Sequence, residues 1–402
     1  MRTPALLLAA ALWAGAPDGG SARPVGLGPG AHPYPTAAFA PDGRLLVAFT
    51  RDGFVYVAAS DDLGASFGPA VAVNREPEPV DANGEGRPKL AAGAGGAVFV
   101  SWTRKLERPF TGLVRFSRSG DGGKTFSEPV TLNDDGLETG HRFDTLAVSP
   151  TGDVLVAWID KRDLERAQAE GREYAGAAIY TALSRDGGRS FEPNRKLDDH
   201  VCECCRLSIA FDPEGRAVVF YRDLLPGGIR DHSLAWGAGE PGAPTVRRVT
   251  VDEWRLDGCP HHGPSLWIDA SGAHHIVWFT AGEARGPGLF YARQGEGEPE
   301  APVTFGDSRR GASHPDVLGV GPKLYRAWRE LDGERHAALL QDSTDGGRSW
   351  SAPRILARGR GGDHPLLVSD GREVFLSWYT EETGYRLVSA AVPEETGAGA
   401  AR

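Results

Sequence analysis

The sequence has few sulfur-containing residues and carries no net positive charge. Its 402 residues include four cysteines and one methionine, and the formal net charge is −10. A nucleic-acid-binding surface needs a basic stripe, and no such stripe offsets this acidity, so we expect no nucleic-acid partner. Glycine and proline are abundant, at 54 and 29 residues, which favours many short strands joined by tight turns.

Long apolar runs are also missing after the N-terminus. Arg2, the apolar residues 5–13 and the small residues Gly20-Ser21-Ala22 form the pattern of a secretory signal that is cleaved after Ala22. No later segment is apolar over the length that a membrane-spanning helix needs. We therefore expect an exported protein, periplasmic or extracellular, that has no membrane span and is a monomer.

One short pattern occurs four times along the chain. Ser-x-Asp-x-Gly-x-x-aromatic begins at Ser60, Ser119, Ser184 and Ser343, and a proline follows each copy after two or three residues. The Asp can hold the N–H groups of a turn, the Gly supplies a positive φ, and the aromatic ring fixes the loop to a sheet. These repeats resemble the Asp-boxes (BNR repeats) of the sialidase-like β-propeller superfamily. The resemblance implies an all-β propeller with the boxes on its outer rim, where they are structural.

The blades can be counted from apolar second strands that end in an aromatic residue. There are seven such strands, at Leu45–Phe49, Val98–Trp102, Val154–Trp158, Val218–Tyr221, Ile276–Trp278, Leu324–Trp328 and Val374–Trp378. A proline opens the fourth strand of the first six units, and the seventh unit has no fourth strand of its own. The segment around Pro24 matches the fourth strand around Pro129, so we expect it to close the ring as the last strand of blade seven. A six-bladed propeller, as in sialidases, is the alternative.

The expected division of the chain follows from this count. It is a signal peptide at 1–22, a single seven-bladed propeller at 23–392 and a disordered tail at 393–402.

Metal-binding residue types recur where the first strand of each unit begins. An alignment of the seven units on the aromatic that ends the second strand gives His32, Glu85, His141, Cys204, His261, His314 and His364 at this position. First strands line the central channel of a propeller, so these side chains are expected to meet at one mouth. Imidazole and thiolate suit copper first and zinc second. The alternative is that His-Pro simply starts a strand well, which covers three of the seven positions.

All four cysteines lie in two clusters that open neighbouring blades. The first contains Cys202, Cys204 and Cys205, and the second contains Cys259 together with His261 and His262. In an exported protein a disulfide is the alternative to metal binding, and a Cys202–Cys259 link would join adjacent blades. The subset favoured as metal ligands is Cys204, Cys205, His261 and His262, with Glu85 completing the site or transferring protons.

The resemblance also implies sialidase-type exo-glycosidase activity as a candidate function. That chemistry needs three arginines, a Tyr nucleophile assisted by Glu, and an Asp acid/base. The (Phe/Tyr)-Arg-(Ile/Leu)-Pro motif is absent, the nearest string being Gly86-Arg87-Pro88, and no Tyr-Glu pair stands out, although Arg87, Arg142 and Arg206 lie near channel positions. The sequence therefore favours a copper- or zinc-binding propeller and leaves enzyme activity undecided. A propeller that binds a small molecule, a glycan or a protein at its channel mouth is a further alternative.

Overall fold

The structure, a computed structural model, describes residues 26–295 and 300–391 and shows a seven-bladed β-propeller. In these ranges six antiparallel sheets have four strands each and the seventh has three. The prediction of seven blades is confirmed, and the six-bladed alternative is wrong. The expected signal peptide at 1–22 and tail at 393–402 lie outside the described residues. None of the helices described is long and apolar enough to cross a lipid bilayer.

The blades follow one another along the chain. Blade one contains β1 (Thr36–Phe39), β2 (Leu45–Arg51), β3 (Phe54–Ser60) and β4 (Val71–Ala72). Blade two contains β5 (Lys89–Ala92), β6 (Val98–Lys105), β7 (Gly112–Ser119) and β8 (Val130–Thr131). Blade three contains β9 (His141–Val148), β10 (Val154–Asp160), β11 (Ala177–Ser184) and β12 (Arg195–Val201), with helix α1 (Arg162–Ala169) between β10 and β11.

The remaining blades have the same order. Blade four contains β13 (Ser208–Phe211), β14 (Ala217–Arg222), β15 (His232–Trp236) and β16 (Thr245–Arg248). Blade five contains β17 (Ser265–Ile268), β18 (His274–Thr280), β19 (Gly288–Gln294) and β20 (Val303–Phe305). Blade six contains β21 (Ser313–Val320), β22 (Lys323–Asp332), β23 (Arg335–Ser343) and β24 (Arg354–Gly359), and blade seven contains β25 (Leu366–Ser369), β26 (Val374–Thr380) and β27 (Gly384–Ser389).

The core lies between neighbouring blades and is built mainly from second strands. These strands are rich in β-branched and aromatic residues, and all seven residues of β10 are buried. Four tryptophans near the ends of second strands are fully buried, and their indole N–H groups donate to carboxylates. The pairs are Trp102 with Glu78, Trp158 with Asp160, Trp278 with Asp252 and Trp328 with Glu330.

The ring of blades is closed. First strands of successive blades contact one another all the way round, including β25 against β1. The carbonyl of Leu27 accepts a hydrogen bond from the N–H of Tyr385 at 2.9 Å, and the Leu27 side chain is fully buried. Leu27 therefore lies beside β27, where the N-terminal segment was expected to complete blade seven. Pro24, the centre of that predicted strand, lies outside the described residues. A Cβ on Gly26 would stand 2.3 Å from the Phe49 ring, so this path needs a glycine.

The four Asp-boxes form the turns between third and fourth strands. In blade two the Oδ1 atom of Asp121 accepts from the N–H groups of Lys124 and Thr125 at 3.0 and 2.9 Å. The Thr125 hydroxyl donates to Oδ2 at 2.6 Å. Hydrogen bonds from Thr125 and Ser119 hold the pKa of Asp121 well below its usual range. The other box carboxylates, Asp62, Asp186 and Asp345, have equivalent partners, which confirms their role in the turn.

The variant Asp121→Ala is expected to lower the melting temperature by a few degrees, because it leaves two turn N–H groups without their acceptor. Differential scanning calorimetry would measure this. Asp61→Ala is the matched control, since Asp61 is exposed and its carboxylate makes no hydrogen bond within the described residues. Ligand binding per folded molecule should not change. If Asp121→Ala lost ligand binding while its melting temperature stayed unchanged, the Asp-box turn would have to be part of a binding surface.

Candidate functional site

The predicted positions do occur where the first strands begin. Each lies inside a first strand or within four residues before one, as the alignment requires: His32, Glu85, His141, Cys204, His261, His314 and His364. A cavity of about 420 Å³, here called the hub cavity, opens among several of them. It is lined by Asn83, Gly84, Glu85, Arg142, Phe143, Pro260, His261, His262, His314 and His364.

Glu85, His314 and His364, here called the hub triad, each bring one ligand atom within 4.8 Å of the other two. The Glu85 Oε2 atom accepts from the N–H groups of Arg206 and Gly263 at 2.8 and 3.1 Å. The other oxygen, Oε1, is buried without a hydrogen-bond donor and lies 3.5 Å from His314 Nδ1 and 3.6 Å from His364 Nδ1. Both Nδ1 atoms also lack hydrogen-bond partners. Because buried polar atoms are normally satisfied, such a group is a candidate ligand set.

Stacked rings and two glycines hold the hub triad together. The imidazole rings of His314 and His364 stack with centroids 3.5 Å apart, and His262 stacks on the other side of His314 at 4.7 Å. A Cβ on Gly84 would lie 2.3 Å from the His364 ring. A Cβ on Gly263 would lie 2.6 Å from Glu85 Oε2. Glycine at these two positions therefore allows the backbone to approach the triad.

The charge states of the hub triad suit metal binding at neutral pH. Burial raises the pKa of Glu85, but the His314 ring, with its Nδ1 3.5 Å from Oε1, and the charge of Arg206 outweigh burial and hold the pKa at about 2. Burial lowers the pKa of His314 to about 4 and that of His364 well below its usual value. An ionised carboxylate and neutral imidazoles are the forms that bind metals.

His141 does not lie in the hub cavity, which corrects the expectation that it would. It is fully buried, its Nδ1 donates to the Gly112 carbonyl at 2.8 Å, and its Nε2 is 3.0 Å from Asp135 Oδ2. Burial lowers its pKa, but Asp135 and Asp160 outweigh burial, and the net pKa is raised. The pairing of β9 with β10 shifts register beside Phe143, whose φ is +56°, and Arg142 and Phe143 line the cavity instead.

The other candidate ligands are distributed around the mouth. His32 is exposed, with its Nδ1 3.4 Å from Glu381 Oε1. Cys202, Cys204 and Cys205 form a buried group, and Cys204 also lies with Cys259 and His261. His262 stacks on Phe279 and His314, so the favoured subset of Cys204, Cys205, His261 and His262 is divided among three groups.

The structure contains no disulfide among the four cysteines, all of which are described. Cys259 is exposed, whereas Cys202 is buried, and the Cys202–Cys259 link, the alternative to metal binding, is not formed. The sulfur of Cys202 instead lies 3.7 Å from that of Cys204 and 3.9 Å from that of Cys205.

The three arginines that could have imitated a sialidase site are each held by a different carboxylate. Arg87 Nη2 is 2.6 Å from Asp363 Oδ1, and Arg142 Nη2 is 2.6 Å from Asp81 Oδ2. Arg206 donates its backbone N–H to Glu85, and its Nη1 is 3.9 Å from the same carboxylate. Arg87 and Arg206 are also buried, so these arginines do not form a shared carboxylate-binding cluster.

A second cavity of about 200 Å³, here called the side cavity, adjoins the hub cavity. Phe110, Arg142, Phe143 and Lys161 line it, together with Cys204, Cys259 and His261. The Phe110 ring is 75% exposed, and the Arg142 guanidinium lies 4.8 Å from the Phe143 ring. The sequence interpretation missed Phe110 because a single aromatic residue in a turn between two strands carries no repeat signal.

Comparison with known proteins shows similarity at the level of the fold. No family model matches the sequence, and no curated protein matches it. An ulvan lyase of polysaccharide lyase family PL25, bound to -[GlcA(1-4)Rha3S]-, is similar with a TM-score of 0.57 and 13% identity over 91% of this chain and 93% of that chain. Another ulvan lyase structure gives a TM-score of 0.54 at 12% identity over 92% of both chains. The Hadza microbial sialidase Hz136 gives 0.49 at 13% identity over 86% of this chain and 75% of that one.

The stability of the metal-free protein should fall as the pH is lowered from 7 to 5. The unfolded chain takes up protons on histidine near pH 6.5, whereas folded His314 does so only near pH 4, so the unfolded state binds more protons between these values. His314 alone should account for about 2 kcal/mol at pH 5. Urea denaturation in the presence of a chelator would measure it. The double variant His314→Gln with His364→Gln should show a correspondingly smaller loss, and an equal loss would contradict the pKa assignment.

Proposed function

We propose that this protein binds one transition-metal ion, copper or zinc, at the mouth of its channel through the hub triad. The observation that carries the proposal is the meeting of Glu85 Oε1, His314 Nδ1 and His364 Nδ1 within 4.8 Å of one another, each buried and without a hydrogen bond. Two ligand atoms bound at ~2.1 Å to a tetrahedral ion lie ~3.4 Å apart, close to the separations between Glu85 and the two histidines.

The surrounding residues already perform the positioning that such a site needs. The N–H groups of Arg206 and Gly263 fix the carboxylate of Glu85 through its other oxygen. The Phe279 and His262 rings support His314 from one side, and Gly84 leaves room for His364. A bound ion would supply a Lewis acid beside the hub cavity.

Metal retention should depend on the hub triad and not on other histidines at the mouth. The double variant His314→Ala with His364→Ala is expected to bind Zn²⁺ or Cu²⁺ at least about hundredfold more weakly, since it keeps one of three ligands. Isothermal titration calorimetry and elemental analysis would measure this. His32→Ala is the control, because His32 is exposed at the same mouth.

A second variant tests the same site without removing a ligand. Gly84→Ala would push the His364 ring aside and should weaken metal binding while all three ligands remain. Unchanged metal affinity in both variants would refute the proposal.

We further infer that the ligand of the two cavities is an acidic glycan. Phe110 and Phe143 provide ring faces for sugars, and Arg142 and Lys161, which pair with Asp81 and Glu203, place charged N–H donors beside them. The fold similarity to an ulvan lyase bound to -[GlcA(1-4)Rha3S]-, an anionic saccharide, supports this class of ligand. The signal-like N-terminus supports export of the protein.

Acidic oligosaccharides should bind more tightly than neutral ones of equal length, and the preference should fall with added salt. Phe110→Ala and Lys161→Gln are each expected to weaken binding by about tenfold, through lost stacking and lost charge respectively. Leu63→Ala is the control, as Leu63 is an exposed apolar residue in the Asp-box of blade one. Calorimetric titration with oligoglucuronate and a neutral glucan would measure it, and equal affinity for both would exclude an acidic-glycan site.

A further inference from the structure

The sulfur atoms of Cys202, Cys204 and Cys205, here called the thiol cluster, form a compact buried group outside the hub triad. They lie in the turn between β12 and β13, and each residue is at most 3% exposed. The two Sγ–Sγ distances from Cys202 are 3.7 and 3.9 Å. Metal–sulfur bonds of ~2.3 Å place two sulfurs ~3.8 Å apart on a tetrahedral ion and ~4.0 Å apart on a trigonal one. The spacing therefore fits one shared ion with little movement of the chain.

Two arginines, the buried Arg222 and the half-buried Arg230, supply the positive charge that three thiolates would need. Arg230 Nη1 donates to Cys202 Sγ at 3.1 Å. Arg222 is 1% exposed, and its Nη atoms donate to the carbonyls of Arg230, His262 and Phe279. No carboxylate in the described residues pairs with either guanidinium.

A buried cation without a counter-ion is costly, so anionic sulfur beside these arginines offsets that cost. The Arg230 N–H that contacts Cys202 Sγ is the kind of donor that a thiolate at this position would accept.

We propose that the thiol cluster binds one Cu(I) ion through three thiolates. Three thiolates and one Cu(I) carry a net charge of −2, which the two guanidinium groups balance. A divalent ion would leave one positive charge uncompensated, and Zn²⁺ would also seek a fourth ligand. Thiolate sulfur is the soft ligand that selects Cu(I). Binding releases the thiol protons of the three cysteines to solvent. It involves no change of oxidation state, because the ion arrives as Cu(I).

The ion has a route to this buried site from the side cavity. The Cys204 sulfur also lies within 4.8 Å of the Cys259 sulfur and a ring nitrogen of His261, and both residues are exposed. Cys204 therefore belongs to an exposed group and to the buried one, so an ion can exchange ligands stepwise between them.

Titration of the reduced full-length protein with Cu(I), in competition with a chromogenic Cu(I) chelator under anaerobic conditions, tests the proposal. One equivalent should bind and give an ultraviolet thiolate-to-copper charge-transfer band. Cys202→Ser with Cys205→Ser should weaken binding at least hundredfold, whereas Cys259→Ser should change it less than tenfold. His32→Ala should leave it unchanged, since His32 is exposed at the same mouth and belongs to neither ligand group. Equal affinity in the double serine variant, or displacement of Cu(I) by equimolar Zn²⁺, would overturn the assignment.

A measurement on the unmodified chain covers the case in which the serine variant fails to fold. Cu(I) should protect Cys202, Cys204 and Cys205 from alkylation by iodoacetamide in brief urea pulses, and peptide mass spectrometry would locate the label. Cys259, exposed at the surface, should react with or without the ion. If the three cysteines remain as reactive with Cu(I) as without it, or if they cannot be kept reduced, the proposal fails.

Discussion

Packing between blades is the constraint on which the rest of this structure depends. An isolated four-stranded sheet would expose apolar residues on both faces, and each blade buries them only against its two neighbours. The second strands supply this surface, with fully buried tryptophans at Trp102, Trp158, Trp278 and Trp328. The ring must also close, which is why β25 packs on β1 and the N-terminal segment reaches Tyr385.

Closure brings the starts of seven first strands to one place, and there the apolar packing gives way to polar residues. The hub triad leaves three ligand atoms unsatisfied in a buried position, a cost that a globular protein normally avoids. Three residues at strand starts, His32, His261 and His314, also have positive φ, an uncommon conformation for a non-glycine residue. Unsatisfied polar atoms and unusual backbone conformations in one location are typical of a functional site.

The features that repeat from blade to blade could be predicted from the sequence. Seven similar units allow one alignment, so the number of blades, the second strands and the position of Glu85, His314 and His364 could all be predicted. Local departures from the repeat could not. The register shift beside Phe143 turned His141 toward Asp135, because one extra residue in a strand reverses which side chains face the channel. Side-chain contacts between blades could not be predicted either. Nothing in the sequence links Arg222 or Arg230 to Cys202, because the contact depends on how blades three and four pack.

The two proposed ligand groups at the mouth differ in their ligand atoms and in the charge those ligands carry. In the hub triad one carboxylate faces neutral imidazoles, and the charges of Arg87, Arg206 and Arg329 also act on His364. In the thiol cluster two guanidinium groups are already in place beside the sulfurs, and a second positive charge on the ion would find no partner. Nitrogen and oxygen ligands suit a divalent ion, whereas three sulfur ligands beside two cations favour the monovalent one. The two proposed sites would therefore hold different metals within one channel mouth, because they differ in ligand atoms and in ligand charge.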